Sequence, residues 1–161
     1  GCSWPDESAE IRVTFTNHRE DVISMSNHID DNSVPDVMTD DQAWEFLASE
    51  QVGRVAISVG GSLDIYPITY AVDHKTLVFL ATPGNKLLEL SVDEHVAFEI
   101  DHFDQTSARS VVVHGTTQRL ETTAEIAAAE ALDLPSIIAL SRTRYVRITP
   151  TEVTGRNFTR A

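Results

Sequence analysis

Between residues 52 and 120, short runs of apolar residues alternate with polar ones, and most of the elements follow from that rhythm. Val52–Val59 and residues 63–72 read as strands joined by Gly60-Gly61-Ser62, a hairpin signal because tight turns demand a positive φ. A third strand, 77–81, follows the Asp73-His74-Lys75 turn. Residues 86–90 read as a short helix, 94–101 and 110–120 as strands, and 144–153 as the last strand. Upstream, Thr39-Asp40-Asp41-Gln42 forms a capping box, with Ala43, Trp44, Phe46 and Leu47 on one side of a helix ending near Gln51. Residues 122–132 predict an alanine-rich helix that Pro135 stops or kinks. Earlier still, Ile11, Val13 and Phe15 alternate with Arg12, Thr14 and Thr16 inside a polar, acidic stretch, the period of a half-buried strand. Six strands at short spacing, few helices and no strand–helix–strand alternation predict a mainly β fold, a six-stranded antiparallel barrel. The chain divides into an N-terminal extension, 1–38, docked on its own barrel or on a partner, a domain, 39–156, and a C-terminal tail, 157–161. The last strand is expected to give way to tail from Gly155 onward.

Composition narrows the function. The 161 residues suffice for one domain with a real core. Twelve basic against 25 acidic residues leave a formal charge of −13, which repels phosphate backbones and anionic membranes. Nucleic acid and membrane surfaces are therefore not expected partners. Any phosphate must sit in a local basic pocket, and Lys75 and Lys86 are the only lysines. The single cysteine, Cys2, excludes an internal disulfide and fits a reducing compartment. With no apolar run near the ~20 residues of a membrane span and no visible leader, the expected location is cytoplasmic.

Several chemistries find no support. The histidines at 18, 28, 74, 95, 102 and 114 are scattered and form no ligand pair, so no metal site is expected. No Gly-x-Ser-x-Gly elbow or Gly-x-Gly-x-x-Gly loop is present. Glu99 and Asp101 share one strand face and read as solvated acids, with Arg54 as a structural ion-pair partner. One segment stands out. In Ala81-Thr82-Pro83-Gly84-Asn85-Lys86 a strand turns into a helix across a hydroxyl, a glycine and a lysine. Such a turn can cradle a phosphate on outward N–H groups and a full positive charge.

The order of motifs also carries a likeness. Val52-Gly53-Arg54-Val55-Ala56, Pro67-Ile68-Thr69-Tyr70, Thr82-Pro83-Gly84-Asn85-Lys86, Val96 to Asp101, Ser110 to Gly115 and Val153-Thr154-Gly155-Arg156 occur in sequence. From about Thr39 to Arg156 the chain resembles the flavin-binding split-barrel family related to pyridoxamine 5'-phosphate oxidase. That resemblance implies an FMN-binding split β-barrel with non-covalent FMN in a cleft between the subunits of a homodimer, acting as a flavin-dependent oxidoreductase on a small molecule. It implies that Thr82 and Lys86 hold the phosphate, with Ala81 lining the same path. The isoalloxazine would run along Pro67, Ile68, Thr69 and Tyr70, with Arg109 and Ser110 as contacts from the facing strand. Relatives often carry tryptophan where this chain has Arg109, which bears on the substrate side. The chain also lacks the C-terminal histidine with which the oxidase itself holds its phosphorylated substrate. Within the fold the alternatives are a deazaflavin-dependent reductase and a flavin- or haem-binding carrier or sensor. No catalytic acid or base is singled out.

Overall fold

The computed structural model describes residues 36–82, 86–90, 94–135 and 144–159. In chain order these form β1 (Asp36–Val37), α1 (Asp40–Ser49), β2 (Val52–Val59), β3 (Ser62–Asp73), β4 (Thr76–Ala81), a 3-10 turn (Lys86–Glu89), β5 (His95–Phe103), β6 (Ser107–Arg119), α2 (Thr123–Glu130) and β7 (Arg144–Thr159). The expected strand around Ile11–Phe15 lies outside the described residues.

Local chemistry explains the elements. Thr39 accepts from the Gln42 N–H at 3.2 Å and Gln42 accepts from the Thr39 N–H at 2.9 Å, so α1 begins where its sequence says it should. Thr122 and Glu125 repeat the device at the start of α2. Gly60 and Gly61 have φ of 58° and 80°, the double positive φ that lets a two-residue turn match the twist of its strands. The β3–β4 turn places His74 and Lys75 at φ 48° and 57° without glycine. Side chains hold it there: His74 Nδ1 and Arg147 Nη1 lie 2.7 and 2.9 Å from Asp73, and Lys75 Nζ lies 2.6 Å from Asp40.

The six long strands close into a ring, β7-β4-β3-β2-β5-β6 and back to β7, all antiparallel. This is the split-barrel arrangement that the sequence predicts. β1 adds two residues to β7, pairing Asp36 with Asn157 and Val37 with Arg156. Two boundaries differ from expectation. Asp36–Val37, read as part of the N-terminal extension, belong to the sheet, and β7 runs sixteen residues to Thr159, through what was read as tail. The stretch Gly155-Arg156-Asn157-Phe158-Thr159 has no apolar alternation to betray it. Ladder bonds to β6 on one side and β1 on the other hold it extended, rather than burial.

Inside the ring pack Val55, Ile57, Ile68, Leu77, Phe79, Phe98, Ile100, Val111, Val113 and Ile148, joined by Phe46 and Leu47 of α1 and by Leu87 and Leu90. A second cluster lies on the other face of β4, where Val78 packs with Leu120, Ala129 and Leu134. β4 is thus buried on both faces, which is why its sequence Thr-Leu-Val-Phe-Leu-Ala shows no alternation. Elsewhere the outward face is open: Val52, Leu63 and Ile65 are 58%, 82% and 70% exposed.

Candidate functional site

Lys86 opens the 3-10 turn, and the burial of Leu87 and Leu90 in the barrel core fixes that turn against the body. The helix expected over 86–90 is only this four-residue turn, so the anion-attracting dipole of a full helix is missing from the cradle. Pro83, Gly84 and Asn85 lie outside the described residues. What remains is Thr82, half-buried just past β4, and the Lys86 ammonium. That ammonium has a partner which the sequence reading missed: Nζ lies 2.8 Å from Oδ2 of Asp64, on β3. The Ser62 hydroxyl donates to the same oxygen at 3.2 Å. Each charge steadies the other. The hydrogen bond from Lys86 holds the Asp64 carboxyl below its ordinary 3.8, and the same bond raises Lys86 above 10.5. The available signal was an aspartate at an inward-parity position of a strand, where a charge calls for a partner.

The four residues of Pro67-Ile68-Thr69-Tyr70 divide by the period of the strand. Pro67 and Thr69 face outward; Ile68 and Tyr70 are 6% and 2% exposed and face the core. The Tyr70 ring meets Phe98 edge-on at 4.8 Å, and its hydroxyl donates to the Leu47 carbonyl at 2.6 Å. Burial, helped by the charge of Glu50, pushes the phenol pKa far up, so it stays protonated. Their side chains belong to the core, where Tyr70 ties α1 to the barrel, so what this stretch offers a ring is its backbone and the outward Pro67 and Thr69. Replacing Tyr70 by phenylalanine should cost about 1–3 kcal/mol, the penalty for leaving the buried Leu47 carbonyl without its donor. Urea unfolding measures that cost, and flavin titration of the folded variant should show unchanged affinity. The Thr69 hydroxyl is used as well, donating to the Pro135 carbonyl at 3.2 Å. Ala81 is fully buried in the core.

Arg109 and Ser110, being consecutive on β6, point to opposite faces. The Arg109 guanidinium lies 4.1 Å over the Phe46 ring of α1, in a cleft of about 330 Å³ that Met38, Gln42 and Asn157 also line. Ser110 faces outward, opposite Asp101 on β5 and Arg156 on β7. Beside it Arg54 bridges Glu99 at 3.2 Å and Asp101 at 3.3 Å, the structural pairing that the sequence suggested. Partial burial and the neighbouring Asp101 raise the Glu99 pKa above 4.5, against the pull of Arg54. β2 and β5 lie between β3 and β6, so Ser110 is three strands away from Pro67 along that arc of the ring. One chain thus sets Lys86 against Asp64 at an inward-parity position of β3, with Pro67 and Thr69 on the strand's other face and Ser110 on β6. Among the described residues no cluster of three metal-ligating side chains exists, and no helix is long and apolar enough to cross a membrane.

Comparison with known proteins places this geometry. Residues 39–157 match the family model described as pyridoxamine 5'-phosphate oxidase. An uncharacterized protein of Mycobacterium tuberculosis is 34% identical over 87 residues, 54% of this chain and 79% of that one. A solved Corynebacterium glutamicum structure, described provisionally as a pyridoxamine 5'-phosphate oxidase, is 35% identical with a TM-score of 0.73, covering 81% of this chain and 97% of that one. A structure described as the FAD binding protein from Mycobacterium smegmatis is 30% identical with a TM-score of 0.71, covering 78% and 100%.

Proposed function

The chain belongs to the pyridoxamine 5'-phosphate oxidase-like family of flavin-binding split barrels, and on that premise we propose that it binds a flavin nucleotide, FMN first, as a homodimeric oxidoreductase. The observation that carries this reading is Lys86. In a chain of net charge −13 it is one of two lysines, and it follows the end of β4 that carries Thr82, whereas Lys75 sits on the β3–β4 turn at the other end of that strand. Lys86 and the Thr82 hydroxyl suit a phosphate by charge and by donor chemistry. The face of β3 opposite to Asp64 offers exposed Leu63, Ile65 and Pro67 for flat apolar packing.

A bound flavin supplies a ring that takes or gives a hydride, and the protein supplies orientation and shielding. Lys86 and Thr82 fix one end of the ligand. Pro67, which has no N–H to donate into the ladder, leaves a smooth surface on which a ring can lie. The second wall would come from another copy of the chain, whose outward-facing Ser110 would meet that ring. The exposed Val52, Leu63 and Ile65 support such pairing, since patches of this kind mark interfaces. Such a two-fold dimer should bury at least ~1,200 Å² in total.

FAD is the second reading, supported by the description of the Mycobacterium smegmatis relative. The test is to purify the protein, record its visible spectrum, release the ligand and weigh it. Yellow protein releasing FMN, sedimenting as a dimer at micromolar concentration, is the expected result. Released FAD replaces the first reading by the second. Protein that neither carries nor takes up either flavin removes both.

A further inference from the structure

We propose that Asp64 sets the charge selectivity of the flavin site, penalising a terminal phosphomonoester more than a bridging diphosphate; this rests on Lys86 being the phosphate anchor. The pair is a fixed feature. Strand pairing sets Asp64 opposite Ile57, Leu87 and Leu90 fasten the turn that carries Lys86, and Nζ and Oδ2 stand 2.8 Å apart. Both side chains are about a third exposed, at 38% and 32%, so a ligand can reach the ammonium.

An ammonium has three donors, and Asp64 takes one. A phosphate oxygen can accept from another without expelling the carboxylate, but it then lies close to a like charge. The repulsion grows with the charge on the phosphorus. A phosphomonoester, the end group of FMN, carries close to two negative charges at neutral pH. Each phosphorus of the diphosphate bridge in FAD carries one, and riboflavin carries none. Asp64 therefore weakens FMN most, FAD less and riboflavin not at all. It acts on the ligand through charge, while Lys86 makes the contact.

Fluorescence titration with FMN, FAD and riboflavin on wild type, Asp64→Asn and Asp64→Ser reads this directly. Asp64→Asn should tighten FMN about three- to tenfold and FAD by less than about twofold, the range that one partly exposed charge commands. Riboflavin should not change. Asp64→Ser, too short to hydrogen-bond Lys86, should give the same order. Weaker FMN binding in both variants would mean that Asp64 only positions Lys86, and equal gains for all three ligands would mean a general loosening; either result overturns the proposal. Lys86→Ala separates the two levels. If it weakens FMN while Asp64→Asn leaves the FMN-to-FAD ratio unchanged, the anchor stands and the selectivity falls. If it leaves FMN untouched, both fall.

Discussion

Lys86→Ala is expected to weaken FMN binding about ten- to a hundredfold, since a hydrogen bond to a charged group contributes roughly 1.5–3 kcal/mol and ~1.4 kcal/mol is tenfold. The structure places the result toward the upper end. Removing the ammonium does more than delete a contact, because it leaves the Asp64 carboxylate without the charge now 2.8 Å away. An arriving phosphate would then meet a bare anion. Nor can the other lysine stand in: Lys75 lies on the turn at the opposite end of β4, beside Asp40. Riboflavin, which has no phosphate, should bind the variant as well as it binds wild type. Thr82→Ala should show the same selectivity with a smaller loss, since a neutral hydroxyl contributes only about 0.5–1.5 kcal/mol. Paired titrations of FMN and riboflavin decide the matter, and unchanged FMN affinity in Lys86→Ala would retire the anchor.

A comparable loss, in stability rather than affinity, is expected from a single methyl group at Gly53. A Cβ there would stand 2.3 and 2.5 Å from two ring atoms of Phe98 and 2.9 Å from the Glu99 carbonyl oxygen. No carbon tolerates those distances, so something must shift. The ring cannot swing aside, because Phe98 is fully buried and Tyr70 meets it edge-on at 4.8 Å. Moving the carbonyl instead would disturb the β2–β5 ladder where Arg54 pairs with Glu99. Gly53→Ala should therefore destabilise the fold by about 3 kcal/mol, at the upper end of ordinary overpacking. Urea unfolding at constant m-value measures it. A change below about 0.5 kcal/mol, the size of an ordinary surface substitution, would show that the Phe98 ring gives way freely.

Much of this architecture was legible because its signals are local. The Thr39–Gln42 capping box, the Gly60-Gly61 turn and the alternation along β2 and β5 each span fewer than ten residues and fix the elements on their own. What escaped depends on distant partners. β7 past Gly155 is polar and is strand only because β6 and β1 hydrogen-bond it. Lys86 looked like a solitary charge because Asp64 stands 22 residues upstream and only the fold brings the two together. Along Pro67, Ile68, Thr69 and Tyr70 the strand shows alternate side chains to opposite sides. Ile68 and Tyr70 went to the core for that reason. Which way Ala81 faces was not legible either, because residues 77–81 are all apolar.

The ring has one further consequence, for the newborn chain. β2–β3, β3–β4 and β5–β6 join strands consecutive in the chain, so each can form as it leaves the ribosome, and β2 can take β5 once that strand is made. Closure cannot, because the outer edges of β4 and β6 both belong to β7, the last of the six to be made. Until it emerges, the nascent sheet carries two raw edges, one of them on β4, whose Leu77, Val78 and Phe79 are fully buried once the ring shuts. Open apolar edges invite pairing with other chains. Crowded polysomes would therefore be where this protein is most exposed to aggregation, and a ribosomal pause before β7 would prolong that hazard.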